Sequence, residues 1–534
     1  MRNFTRQQQL VEALRAPGCY PHAAKNIRLV ETHISWVLLA GRYAYKIKKA
    51  VDLGFLDFTG LAARRFYCGE EIRLNRRLAP QLYLDVVAVG GSPQRPLLGA
   101  DPAIEYAVRM RRFASSKQMD RLLARGRVTP AHIDQLAASI AQFHMALPPV
   151  APDSPFGTPA AIHAPALQNF EQLAPLLDKA DAARLEDLRS ASEGEYAACV
   201  PLFEQRRQAG RIRECHGDLH LGNIVLLKDV PTPFDGIEFN AALRWIDVMN
   251  EVAFLVMDLL DRRRADLAFR FLNGYLELTG DYAGVGVLRF YLAYRATVRA
   301  KIGAMRARQP DARPQQVKNL LEASRGYLEL AASCLARRCP ALMITHGLPG
   351  CGKTTLAQTA LERLQAIRIR SDVERKRLFG LAPLQPSGSA IGDGIYSAEA
   401  TRRTYARLQE LARNLLEAGF PVIVDATFLK QAEREQFRLL AQEMAVPFVI
   451  LDVRAPDAIL HSRIRERQEQ AGDASEADLA VLQALQAAQE PLLARELAYA
   501  LEFVNDGETG FALAEGVWEK LATLCRWPTG AAYG

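Results

Sequence analysis

Residues 341–356 read ALMITHGLPGCGKTTL. The run 341–346 is short and apolar, lies between Pro340 and Gly347, and has the pattern of a buried strand. The next eight residues, G347-L-P-G-C-G352-K353-T354, satisfy G-x-x-x-x-G-K-[ST], and helical periodicity follows over 353–365. Strand, Gly-rich loop and helix in that order give the motif its physical meaning. Gly347, Gly350 and Gly352 let successive backbone N–H groups turn inward around phosphate oxygens, where a Cβ would intrude. The helix N-terminus adds partial positive charge. Lys353 is then expected to neutralise the β/γ-phosphates, and the hydroxyl of Thr354 to bind Mg²⁺. Thr355 completes the expected nucleotide-binding turn, and ATP with Mg²⁺ is the expected ligand.

Working outward, strand-like runs at 366–370, 421–425 and 447–453 alternate with helical patterns at 397–418, 430–444 and 456–470. That alternation predicts a parallel sheet with helices on its faces, a P-loop NTPase α/β sandwich over 340–534. PVIVDATF (421–428) ends a strand in Asp425, where a carboxylate would orient the metal or its water. IRIRSDVERKRLFG (367–380) puts Asp372 at the carboxyl edge of a strand, where parallel α/β sheets bind ligands. Asp372 could accept the proton of an acceptor hydroxyl, and Arg375 could bind an anionic group of that acceptor. The other reading of Asp372 is a cap on a helix starting at Val373. HSRIRER (461–467) sets Arg463 and Arg467 on one helix face, either as lid arginines toward a triphosphate or as a solvated basic face. On these motifs, residues 341–510 resemble the P-loop kinases related to polynucleotide, gluconate and zeta-toxin kinases. The resemblance implies that the Asp-x-x-Arg element binds and activates the acceptor.

The N-terminal part has a different rhythm. Residues 36–49 read as two short strands through a Gly-Arg turn, 61–78 as a helix, 82–89 and 104–112 as strands, and 130–146 as a helix. The Pro-rich stretch 147–159 reads as a connection, and helical patterns at 284–308 and 315–338 precede the boundary near 340. C215-H-G-D-L-H-L-G-N223 carries His216, Asp218 and Asn223 in the spacing H-x-D-x-x-x-x-N, and FDGIEF follows with Asp235. This resembles the catalytic and metal loops of protein-kinase-like enzymes, with HGD pointing to the aminoglycoside phosphotransferase branch. The resemblance implies a two-lobed fold over 1–335, with an N-lobe of about 1–115 and a C-lobe of about 116–335. It makes Asp218 the base, Asn223 and Asp235 the Mg²⁺ ligands, and His216 a structural residue. It also implies a strand lysine paired to a helix carboxylate, assigned to Lys46 and Glu71. Lys48, Lys49 and Glu70 are expected to be solvated charges. No G-x-G-x-x-G covers the phosphates, so HISWVLLAGR must do so with a short hairpin. Glu251 stands where related phosphotransferases carry Asp and is expected to be a structural acid, with Asp247 a comparable candidate.

The 534 residues exceed one core at ~150 residues per domain. Hydrophobic residues at 49% and charged residues at 24% exclude a disordered or collagen-like chain. No run is long and apolar enough for a membrane helix, and the N-terminus lacks a signal-peptide core, so a cytoplasmic location is expected. Eight Cys show no disulfide framework, and Cys and His do not cluster at zinc spacing. A net charge of +7 permits an anionic ligand, but no Lys/Arg block suggests a nucleic-acid tail. Nearly the whole chain is similar to bacterial proteins in which a phosphotransferase-like domain is fused to an ATP-binding kinase domain. That implies γ-phosphoryl transfer from ATP to a small hydroxylated or amino-bearing metabolite. Two other readings stand beside it: a nucleic-acid or nucleoside 5′-hydroxyl kinase in the P-loop half, and a nucleotide-gated regulator with one inactive half. Oligomeric state leaves no mark on the sequence.

Overall fold

The computed structural model of the chain describes residues 2–54, 56–309, 313–336, 338–389, 393–470, 478–505 and 515–526. They divide into two compact units, Met1–Ile162 with Glu204–Leu255, and His163–Phe203 with Val256–Gly534.

The first unit begins with helix α1 (Arg2–Ala13) and a six-stranded antiparallel sheet. Its strands are β1 (Arg28–Glu31), β2 (Ser35–Ala40), β3 (Tyr43–Lys48), β4 (Tyr83–Ser92), β5 (Arg95–Leu98) and β6 (Glu105–Arg111), in the order β1-β2-β3-β6-β4-β5. Alternation decides what β3 does. Tyr45 and Ile47 face a core with Trp36 and Leu38, so Lys46 and Lys48 point to the opposite face, where helix α2 (Leu61–Asn75) packs. The β2–β3 turn falls at Gly41-Arg42, as the sequence predicts, and Gly41 takes the left-handed backbone such a turn needs.

Beyond this sheet come α3 (Met119–Leu123) and α4 (Pro130–Ala146). Helix α4 starts where the sequence says it should, because Pro130 sits at its first position and Thr129 and His132 cap each other reciprocally. Helices α5 (Pro159–Leu173), α6 (Lys179–Gln208) and α7 (Val248–Asp261) contain the points of division between the units. Two small pairs complete the first unit, β7 (Ile212–Glu214) with β10 (Trp245–Asp247) and the hairpin β8 (Ile224–Leu227) with β9 (Val230–Pro233). Lys228 and Asp229 both have positive φ, the requirement of a tight two-residue hairpin.

The second unit contains α8 (Ala265–Thr279), α9 (Val285–Ala307) and α10 (Pro314–Ala336), followed by a five-stranded parallel sheet. Its strands are β11 (Leu342–His346), β12 (Ile367–Arg370), β13 (Val422–Asp425), β14 (Phe448–Arg454) and β15 (Ala500–Val504). The order is β12-β13-β11-β14-β15. Strands β11 and β13 are buried along their whole length, which is why they read as unbroken apolar runs. The edge strand β15 buries only Leu501 and Phe503, and its weak alternation hid it in the sequence. Helices α11 (Lys353–Leu364), α12 (Ser371–Leu378), α13 (Ala398–Glu417), α14 (Gln431–Glu443), α15 (Asp457–Gln470), α16 (Leu479–Ala488) and α17 (Glu515–Leu524) complete the unit.

The opposite edge, β12, is covered by α8. The Asn273 side chain takes the place of a neighbouring strand there. Its amide donates to the Ala366 carbonyl at 2.9 Å and its oxygen accepts from the Arg368 N–H at 2.6 Å. Among the described residues no helix is long and apolar enough to cross a membrane.

Candidate active sites

Strand β11 delivers the phosphate loop at the carboxyl edge of the parallel sheet, beside the end of β13. Gly347, Gly350 and Gly352 have φ values of 137°, 84° and 102°, and a Cβ on Gly347 would collide with the Val453 carbonyl. Lys353 opens α11 and donates to the Leu348 carbonyl at 2.8 Å, closing the loop upon itself. A chamber of about 470 Å³ opens beside the loop, and Gly350, Gly352, Lys353, Thr354 and Thr355 form one wall. Asp425, Asp372 and Arg375 line it as well, so three separate segments, the loop with α11, helix α12 and the end of β13, converge on one space.

One oxygen of Asp425, Oδ2, is buried without a hydrogen-bond partner. A buried carboxylate oxygen left in this way, beside the hydroxyl-bearing Thr354, is the donor chemistry that a hard divalent cation takes. The residues present therefore fit Mg²⁺. Asp372 does not cap a helix from Val373. The helix begins two residues earlier, with Arg370 as its N-cap, so Asp372 sits inside the first turn and borders the chamber. Arg375 donates through Nη1 to the Ile395 carbonyl at 2.8 Å and to Thr401 Oγ1 at 3.1 Å, under the Tyr396 ring. Its Nε is buried without a partner, so the other edge of the guanidinium retains donor capacity.

Arg463 lies against the loop, with Nη1 on the Gly350 carbonyl at 3.3 Å and Nη2 on Asn505 Oδ1 at 2.9 Å. The Arg467 side chain lies outside the described residues. Glu433 and Arg370 are among the chamber residues with no counterpart in the sequence assignments. Glu433 has its carboxyl pushed up by burial, against a hydrogen bond from Tyr405. Arg370 reaches from β12 toward Asp425, with 4.0 Å between Nε and Oδ2. IRIR at 367–370 held the signal for Arg370, because charges alternating with isoleucine in a buried strand demand an acidic partner. That partner is Glu277, on α8.

The kinase-like site forms within the first unit. Lys46 Nζ donates to Glu71 Oε1 at 2.8 Å and to Asp235 Oδ1 at 2.5 Å, joining β3, α2 and the segment after β9. Burial pulls the Lys46 ammonium down, but Asp235 and Glu71 outweigh it and hold the group well above its ordinary value. The hairpin β8–β9 brings the HGD loop and Asp235 together, because Phe234 N–H donates to the Asn223 carbonyl at 2.9 Å. Asn223 Nδ2 donates to Asp218 Oδ2 at 2.8 Å, which orients the carboxylate and leaves oxygen chemistry at the other end of the amide. Asp235 takes a positive φ of 64° and its N–H donates to the Tyr83 hydroxyl at 2.9 Å. An amide oxygen from Asn223 and a half-exposed carboxylate from Asp235 are hard donors, a set that also fits Mg²⁺.

His216 is structural. Its Nε2 donates to the Phe234 carbonyl at 3.0 Å, Nδ1 accepts from the Asp218 N–H at 3.3 Å, and burial lowers its basicity. Glu251 is fully buried and accepts from the N–H groups of His216 at 3.0 Å and Gly217 at 2.6 Å, and from His144 at 3.0 Å. It holds the loop as a structural acid should. Asp247 does a different job, bridging Arg206 to the start of α7. His144, Cys215 and Glu251 lie close enough for a metal, yet both Glu251 oxygens are occupied by these hydrogen bonds. His220, unassigned from sequence, places Nε2 3.6 Å from Asp218 Oδ2.

Lys48 and Lys49 are not solvated. Lys48 is wholly buried, with Nζ 2.7 Å from Glu71 Oε2 and also paired to Glu238. Lys49 is buried over the Trp36 ring and pairs with Glu31 at 2.6 Å. The reason is geometric. A period of two puts Lys48 on the same covered face as Lys46, and Glu71 has two oxygens, one for each lysine. Glu70 behaves differently, pairing with Arg73 near the surface.

An uncharacterized protein of Mycobacterium tuberculosis (strain H37Rv) is 32% identical over 468 residues, 86% of this chain and 89% of its own. The chain belongs to the same family. An uncharacterized protein of Mycobacterium bovis matches this family member equally, at 32% identity and the same coverage. Residues 70–288 match the family model described as "Phosphotransferase enzyme family", and residues 342–492 the one described as "AAA domain". Similar solved structures include a gluconokinase from Sinorhizobium meliloti 1021, at 20% identity over 36% of this chain and 94% of that one, with a TM-score of 0.24. An aminoglycoside phosphotransferase from Alicyclobacillus acidocaldarius is similar at 16% identity over 60% of this chain and 92% of that one, with a TM-score of 0.36. By the two family models the chain joins a kinase-like phosphotransferase domain to a P-loop domain, and it is an ATP-dependent phosphotransferase.

Proposed function

We propose that the protein has two Mg-ATP sites and that it phosphorylates a small hydroxylated or amino-bearing metabolite. The observation that carries the reading is the hydrogen bond from Asn223 to Asp218, made next to the Lys46–Asp235 pair. That bond orients the Asp218 carboxylate, and the reading takes Asp235, paired with Lys46, as the metal-binding carboxylate.

In the kinase-like half, Lys46 binds phosphate oxygens of ATP while Glu71 keeps the ammonium in place. Asp218 Oδ accepts the acceptor's O–H proton as the acceptor oxygen bonds to the γ-phosphorus and the bond to ADP breaks. Asn223 and Asp235 hold Mg²⁺ there, and Thr354 and Asp425 hold it in the P-loop half. When bound, the cation neutralises charge on the β- and γ-phosphate oxygens. In the P-loop half, the loop amides and Lys353 cradle the phosphates, Arg463 braces the loop, and Asp372 takes the acceptor proton. The unpaired Nε edge of Arg375 binds an anionic group on that acceptor. All eight Cys are thiols rather than disulfides, which supports a cytoplasmic setting, where ATP is also supplied.

The test is transfer of labelled γ-phosphate from ATP into a metabolite extract by wild type, Asp218→Asn and Lys353→Ala. A labelled small molecule lost with one variant assigns the reaction to that half. Label on an oligonucleotide or nucleoside end, lost with Lys353→Ala, points instead to a 5′-hydroxyl acceptor. ATP binding with no acceptor labelled by either half overturns the proposal in favour of nucleotide-gated regulation.

A further inference from the structure

The edge of the P-loop sheet holds an arrangement that the phosphate chemistry alone does not require. Glu277, on the last turn of α8, holds two arginines of β12 at once. Its Oε2 accepts from Arg368 Nη2 at 3.0 Å and its Oε1 from Arg370 Nη1 at 2.8 Å. Arg368 in turn reaches the backbone carbonyl of Thr354 through Nη1 at 3.4 Å. Arg370 turns its Nε toward Asp425, stopping 4.0 Å from Oδ2, the oxygen that has no hydrogen-bond partner.

A guanidinium beside a buried, unpartnered carboxylate oxygen should close to hydrogen-bond distance and form a bidentate pair. Here it does not. The competing carboxylate of Glu277 takes Nη1 on the other side, and α8 is anchored to the β12 edge by the two Asn273 hydrogen bonds and to α11 by Arg270 with Glu362 at 2.8 Å. Glu277 therefore has little room to follow Arg370 inward. The same carboxylate fixes Arg368 behind Thr354.

We infer that Glu277 is a positioning residue for the metal edge of the P-loop site, holding Arg370 off Asp425 so that this carboxylate is available to a divalent cation. The inference rests on Thr354 and Asp425 as the Mg²⁺ pair. Without the charge of Glu277, Arg370 settles onto Asp425 and competes with the cation for the same oxygen. Helix α8 lies inside the stretch 70–288 that matches the phosphotransferase family, so a helix of that segment completes the P-loop site.

The experiment uses the full chain and a fluorescent ATP analogue, with binding followed against MgCl₂ concentration. The signal lost in Lys353→Ala defines the P-loop half. Glu277→Gln is expected to raise the Mg²⁺ midpoint about tenfold, the scale on which partners of metal ligands act. Arg370→Gln is expected to stay at or below the wild-type midpoint. Glu277→Gln combined with Arg370→Gln should return to within about twofold of wild type, which general loosening of the fold would not do.

A Glu277→Gln midpoint within about twofold of wild type overturns the inference, as does a raised midpoint that Arg370→Gln does not reverse. Asp425→Asn separates the two layers of argument. If it raises the midpoint while Glu277→Gln does not, the metal reading stands and the role of Glu277 falls. If Asp425→Asn changes nothing, the metal reading fails and the inference falls with it. Should Glu277→Gln not fold, Arg370→Gln alone decides, because a tenfold rise in its midpoint would mean that Arg370 aids the cation.

Discussion

Lys46 Nζ lies 2.5 Å from Asp235 Oδ1, a residue 189 positions further along the chain. The contact ties the antiparallel sheet to the segment that follows the HGD hairpin, and Glu71 holds the same ammonium from α2. Lys48 shares Glu71 but turns to Glu238 rather than Asp235.

The two lysines should therefore separate by phenotype. Lys46→Met should lower phosphoryl transfer by the kinase-like half about 10²- to 10³-fold, the usual cost of losing a group that stabilises developing charge. Lys48→Met leaves Glu238 buried without its cation and should cost about 3 kcal/mol of stability. Denaturant unfolding and labelled-phosphate transfer, measured on both variants, check the division.

Asp218→Asn should slow the kinase-like half by about 10²- to 10⁴-fold through loss of the proton acceptor. Lys353→Ala should leave that activity intact and remove nucleotide turnover at the P-loop. Single-turnover transfer with each variant distinguishes the halves.

The Asp218 loop should be acid-sensitive. Burial pushes the Glu251 carboxyl up, but the hydrogen bond and charge of His144, the charge of His216 and the Gly217 amide hold it at about 2, below its ordinary 4.5. Its stabilisation is complete above pH 4.5 and is lost as the pH falls toward 2. Burial likewise lowers His216 below its ordinary 6.5, so stability begins to decline once the pH drops under that value. Glu251→Gln should be less stable than wild type at neutral pH, and the two should converge below pH 4.5. Thermal unfolding from pH 7 downward measures the convergence.

Asn273→Ala should expose the edge of β12. It strands the Ala366 carbonyl and the Arg368 N–H, both buried, and should cost about 2 kcal/mol. Amide exchange at Arg368 should accelerate more than exchange in the central strands β11 and β13.

The sequence by itself determined the parallel sheet and its phosphate loop, because fully buried strands such as 342–346 and 422–425 must be apolar on both faces. It also determined the HGD segment, by its fixed spacing, and the helix over 130–146, by its apolar pattern. The edge strand β15 was not expected because ALEFV is short and apolar but for Glu502, so no polar alternation marks its half-exposed face. Only the tertiary structure decided where charges find partners. Lys48 and Lys49 read as solvated and are buried, since burial depends on which helix covers the strand and not on the strand's own residues. Asp372 read as a possible cap, yet α12 begins at Ser371. The pairing of Glu277 with Arg368 and Arg370 spans more than ninety positions, and no local pattern ranks one acidic residue over another across such a distance. Periodicity reports the environment of a face, and the identity of a long-range ionic partner is settled only when the chain has folded.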